Sequence, residues 1–114
     1  MKTLLSSFFL FFCISSFAQS HVPPDSAQYY EGSLATVCGK VLGVYTAKAG
    51  MIKLEFGKPY PDESFVAIIF ADDTSKFESS DYYKDKYLCV TGRIKLFKGR
   101  PEIILKDPNQ LREE

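Results

Sequence analysis

Apolar and polar residues alternate in short runs along most of this chain, and glycine, proline and clustered acids punctuate the runs. A period of two marks half-buried strands, because successive side chains leave a strand on opposite faces. Residues 34–44 carry Val37, Val41 and Val44 in such a run, which predicts a strand with Gly39 allowing a bulge or bend. A turn over 46–50 follows. The next run sets Ile52, Leu54 and Phe56 against Met51, Lys53 and Glu55, so Lys53 and Glu55 are expected outside. Pro59 and Pro61 make 57–62 a loop, since neither can donate to a ladder. Residues 65–70 are apolar throughout and predict a central strand covered on both faces, with Val66, Ile68 and Phe70 on its outward parity. The polar stretch 73–86 has room for one helical turn at 75–79, anchored by Phe77 and by Tyr82 or Tyr83. Strands over 87–97 and 101–106 are joined by a tight hairpin at Lys98-Gly99-Arg100. Ahead of the first strand, Asp25 or Ser26 is placed to cap a short helical turn through Tyr30 that stops at Gly32.

The N-terminus departs from this pattern. Lys2 precedes an apolar run from Leu4 to Phe17, and Ser16-Phe17-Ala18 offers small residues ahead of a cut before Gln19. This is the tripartite form of a cleaved secretory signal, with an apolar run too short for a membrane span. The expected organisation is a signal at 1–18, a flexible lead at 19–26 and one domain at 27–112. Export to a periplasmic or extracellular compartment follows, with no integral span in the mature chain. About 95 residues then remain, enough for one small domain with a modest core. The formal charge is +0, so the chain as a whole lacks the basic surplus of many nucleic-acid binders. Bases outnumber acids from Lys86 onward and acids lead before it, which fits either a solvated surface or a basic binding stripe.

Five short strands with a helical interruption between the third and fourth, plus an N-terminal helical turn, describe an all-β Greek-key barrel of the OB-fold kind. Ala27, Tyr30, Gly32 and Thr36-Val37-Cys38-Gly39-Lys40-Val41 resemble the opening of small secreted bacterial OB-fold domains. Gly57-Lys58-Pro59-Tyr60-Pro61, Cys89-Val90-Thr91-Gly92-Arg93-Ile94, Lys98-Gly99-Arg100-Pro101-Glu102-Ile103 and Asp107-Pro108-Asn109-Gln110-Leu111 resemble their later landmarks. The likeness runs through nearly all of 27–111. Members of that family are assigned nucleic-acid binding from the barrel, which is fold-level analogy. Lys53 stands where the family pattern often has an aromatic, which removes one base-stacking platform. The resemblance also implies that the first and fourth strands pair antiparallel, bringing Cys38 and Cys89 together on the outer side as a disulfide. Such a bridge contributes about 4 kcal/mol by the chain-entropy argument. Two free thiols or a redox pair are the alternatives, and no Cys-x-x-Cys motif favours the latter.

Catalytic chemistry finds little support, and the chain is expected to be no enzyme and to need no cofactor. His21 is the one histidine and lies in the lead, so a zinc site would have to join it to both cysteines. Asp62-Glu63 and Asp72-Asp73 lack the spacing of a calcium loop and read as solvated turn acids. The expected function is a non-enzymatic binding module for single-stranded DNA or RNA, using the face of the second and third strands and the flanking loops. Its candidate residues are Tyr45, Lys48, Lys53, Phe70, Lys98 and Arg100, aromatics for stacking and cations for phosphates. The alternative is a barrel that binds a secreted protein partner or a small ligand, for which near-zero charge is the argument.

Overall fold

One long strand organises the molecule by pairing with different neighbours along its two halves. The computed structural model describes residues 21–114, and the expected signal at 1–18, with Gln19 and Ser20, lies outside the described residues. The strands are β1 (His21–Val22), β2 (Leu34–Thr46), β3 (Ile52–Phe56), β4 (Phe65–Ile69), β5 (Tyr87–Arg93), β6 (Lys95–Phe97), β7 (Arg100–Ile104) and β8 (Leu111–Glu113). A single-turn helix α1 (Ser80–Tyr83) and 3-10 segments at Pro24–Tyr30, Ala71–Lys76 and Pro108–Gln110 fill the connections. The first half of β2 pairs antiparallel with β5, and its second half pairs antiparallel with β3. The changeover is a register shift between Val41 and Gly43, so the bulge expected at Gly39 falls two to four residues later. Gly39 serves a different end. A Cβ there would stand 2.6 Å from the Pro24 ring, which crosses the strand at this point.

The path of ladders runs β6-β7-β4-β3-β2-β5-β8, with β1 added parallel to β2. The class is all-β, as the alternation predicts. The described residues form eight strands, seven along this path and β1 beside β2, more than the expected five, and no ladder closes the path. The extra strands have local causes. The predicted fourth strand breaks at Ile94, whose N–H donates to Ser33 and whose carbonyl accepts from Gly32, so β5 and β6 are one chain segment with a single-residue interruption. The short edges β1 and β8 lie beyond the reach of periodicity arguments, and they extend the ladders past 27–112 at both ends. The lead expected to be flexible is in part ordered, since His21 and Val22 pair with Thr36 and Val37.

Inside, Val37, Val41, Leu54, Phe56, Phe65, Ala67, Ile69, Leu88, Val90, Ile94, Ile103 and Leu105 form one buried cluster. Ile52, Leu54 and Phe56 all lie in it, as their alternation requires. The Pro24–Tyr30 segment contributes buried Ala27, with Pro23 in the cap position and no side-chain cap from Asp25 or Ser26. Asp25 instead accepts a hydrogen bond from the Ser64 hydroxyl. Between β4 and β5 the helical turns fall at Ala71–Lys76 and Ser80–Tyr83 instead of 75–79, and Tyr83 is the buried anchor while Tyr82 stays exposed. The hairpin is as predicted, with Phe97 opposite Arg100 and positive φ at Lys98 and Gly99.

Cys38 and Cys89 are directly opposed on β2 and β5 and bonded to each other, 51 positions apart in sequence. No helix among the described residues is long and apolar enough to cross a membrane.

Candidate functional site

The outer side of β3, β4 and β7 gathers most of the chemistry. Register sets Lys53 opposite Ile68 and Glu55 opposite Val66, and Val66 in turn opposite Glu102 on the parallel neighbour β7. Tyr45, at the end of β2, lies opposite Lys53. Three connections rim this face: the turn after β2, the loop 57–64 between β3 and β4, and the β6–β7 hairpin. Val66 and Ile68 stay outside the core cluster yet are buried, so this face is covered by more than solvent.

Charged side chains make much of that cover. Glu63, from the loop 57–64, is only 4% exposed and Glu55 only 5%. The Lys53 ammonium stands 3.5 Å from Glu63 and 3.8 Å from Glu55, and Arg100 of β7 forms an ion pair and hydrogen bond with Glu63. One oxygen of each glutamate and Nε of Arg100 are buried without a hydrogen-bond partner among the described residues. Buried charges persist when paired, and here two cations share two carboxylates. Burial foremost, and then the adjacent Glu63 charge, push the Glu55 carboxyl above its usual range, with Lys53 and Arg100 opposing. Burial likewise raises Glu102, against the pull of Arg100, Lys95 and Lys53. Gly43 is needed for this arrangement, because a Cβ there would come within 2.7 Å of a Glu55 oxygen.

Above the buried ions the rim is aromatic and basic. Lys53 lies over the rings of Tyr45 and Tyr60 at 5.9 and 5.5 Å, while the two residues are 54% and 72% exposed. A cavity of about 550 Å³ is lined by Val44, Tyr45, Lys53, Glu55 and Tyr60. A second, of about 570 Å³, lies against Lys58, Glu63, Phe97, Lys98 and Arg100 among others. The Lys53–Glu63 pair links a wall of one to a wall of the other.

Of the residues expected from sequence, Tyr45 and Lys53 line the first cavity, and Lys98 and Arg100 the second. Lys48 is exposed in the turn after β2, and Phe70 follows the last residue of β4, 45% exposed; neither lines either cavity. Lys53 and Glu55 lie on the outer face as alternation predicts, but Glu55 is buried there instead of solvated. Glu63, read as a solvated turn acid, is corrected in the same way: the hairpin cation Arg100 and the strand cation Lys53 close over it. Tyr60 was hidden by its two flanking prolines, which announce a loop and nothing of where its side chain lies.

Along β1, β2 and β5, His21 is brought to the disulfide, its imidazole within 4.8 Å of both sulfurs. The remote histidine of the sequence is therefore a neighbour of both cysteines.

No known protein family and no curated protein matches this chain. Among solved structures, it resembles a putative aspartyl-tRNA synthetase from Leishmania major Friedlin, with a TM-score of 0.55 at 9% identity. The match covers 89% of this chain and 22% of that one, so the chain corresponds to under a quarter of the synthetase. At such identity the likeness concerns fold alone.

Proposed function

We propose that this protein is a non-enzymatic, exported OB-type module that binds single-stranded nucleic acid across the outer face of β3, β4 and β7. The barrel reading is supported by β5 and β6, which form one chain segment pairing with β2 at one end of the ladder path and β7 at the other. It is also supported by the parallel β4–β7 pairing and by the likeness to a protein named for its tRNA substrate. The disulfide and the absence of a membrane-crossing helix among the described residues are compatible with export.

The observation that carries the binding reading is the pair of exposed rings, Tyr45 and Tyr60, beside a cavity on the strand face. Bases stack on such rings with little regard to sequence. Lys48, Lys58 and Lys98 are exposed around the rim and form no ion pair among the described residues, so they take the phosphates. Lys53 and Arg100 act differently from the sequence expectation. Held by Glu63, they fix the floor beneath the rings and contribute less to phosphate binding.

Fluorescence anisotropy of a labelled single-stranded oligonucleotide across a salt series tests this. Three phosphate contacts on a single strand give a slope of log K against log salt near −2, and replacing Lys48, Lys58 and Lys98 by alanine flattens it. No binding at low salt refutes the reading. The neutralisation of Lys53 and Arg100 by Glu63 favours one second reading, a barrel for a protein or small ligand, which predicts no such salt dependence.

A further inference from the structure

The three strands β1, β2 and β5 place one histidine and two cysteines on a common outer face. β1 runs parallel to β2 with His21 beside Thr36, two positions before Cys38, so the period of two sets both residues on the same side. Cys89 sits directly across from Cys38. The imidazole nitrogen and both sulfurs lie within 4.8 Å of one another. β8 carries the chain to Glu114, whose Oε1 is 3.3 Å from the Cys89 sulfur but is paired with Arg112 at 2.7 Å and stands outside the three-donor group. The face is anchored by a hydrogen bond of 2.8 Å between the Thr36 and Thr91 hydroxyls and by the Glu114 N–H donating to the Tyr87 carbonyl.

We propose that reduction of the Cys38–Cys89 bond opens a zinc site whose three protein ligands are His21 and the two cysteine thiolates, with solvent in the fourth position. Zinc takes nitrogen ligands at about 2.0 Å and sulfur ligands at about 2.3 Å in a tetrahedron, so its donors stand roughly 3.3–3.8 Å apart. The imidazole nitrogen and the two sulfurs, within 4.8 Å of one another, lie about 1 Å or less outside that spacing. In the oxidised protein the sulfurs are joined and are poor ligands, so occupancy follows redox state. The step balances with a dithiol as reductant. Its two thiols give two electrons and two protons, its own sulfurs join, and Cys38 and Cys89 become thiols. Metal binding then displaces both thiol protons to solvent, because the thiolate is the ligand.

The test uses the protein carrying Cys13→Ser, so that only Cys38 and Cys89 contribute sulfur. It is reduced with a dithiol, freed of reductant under argon and titrated with cobalt(II) as a spectroscopic stand-in for zinc. One equivalent should bind with thiolate-to-cobalt absorption in the near ultraviolet, zinc should displace it, and the oxidised protein should bind none. His21→Ala should weaken binding at least tenfold. Failure of the reduced protein to bind cobalt, or equal affinity in His21→Ala, overturns the proposal. Circular dichroism covers the case in which reduction unfolds the chain: refolding on one equivalent of metal supports the site, and a chain that stays unfolded with metal overturns it.

Discussion

Replacing Glu63 by alanine removes the carboxylate that two cations share. Glu63 has no exposed side-chain surface, while Lys53 and Arg100 retain 15% and 28% of theirs. Deleting one member of a fully buried ion pair costs about 3–5 kcal/mol, chiefly because the partner charge is left stranded. Here the stranded cations keep some contact with water, and Lys53 retains Glu55 at 3.8 Å, so we expect about 2–3 kcal/mol. For a domain of this length that lowers the melting temperature by roughly 10–20 °C. Urea denaturation gives the free energy, and Asp62→Ala supplies the control. Asp62 is the adjacent exposed acid in the same loop and should change stability by less than about 0.5 kcal/mol. If both variants behave like the control, Glu63 is a solvated turn acid and the buried floor of the proposed site does not exist.

Three other outcomes are expected. Native alkylation should find no free thiol at Cys38 or Cys89, and replacing both by serine should cost about 4 kcal/mol, as a closed loop of 51 positions implies. Because the folded state holds the Glu55 and Glu102 protons more tightly than the unfolded chain does, stability should fall as pH rises from the ordinary glutamate range through the raised values; Glu55→Gln should reduce that decline in a pH series of melts and leave the Glu102 share. Phe70→Ala, at a half-exposed position just past β4, should cost under about 1.5 kcal/mol in urea, well below the 3 kcal/mol or more of a fully buried phenylalanine.

The strands that build the core were legible because burial imposes a period of two, and Ile52, Leu54 and Phe56 declare their face without any tertiary information. That the strands of Cys38 and Cys89 pair antiparallel was implied by the resemblance to small OB-fold domains, and the two residues are directly opposed and bonded. Features made by long-range approach were not legible. The bulge sits between Val41 and Gly43, where Glu55 presses against the glycine, and nothing local to Gly39 or Gly43 distinguishes the two. Two-residue and three-residue edges such as β1 and β8 carry too few positions to show a period, yet β1 is what brings His21 to the cysteines. Strand parity and loop position singled out Tyr45, Lys53, Lys98 and Arg100, which line the two cavities. Glu63 and Tyr60 were missed because a polar, proline-bearing loop looks solvated until Lys53 and Arg100 arrive from other strands.

The central claim, that exposed rings on the β3–β4–β7 face stack nucleic-acid bases, is tested most directly by oligonucleotide affinity in the Tyr45→Ala, Tyr60→Ala double variant. Both rings are exposed, so the fold should survive, as circular dichroism would report. At about 1–3 kcal/mol per stacked base, single-strand affinity should fall by at least thirtyfold while the melting curve shifts little. Undiminished affinity in a folded double variant would contradict the account and move the binding face elsewhere.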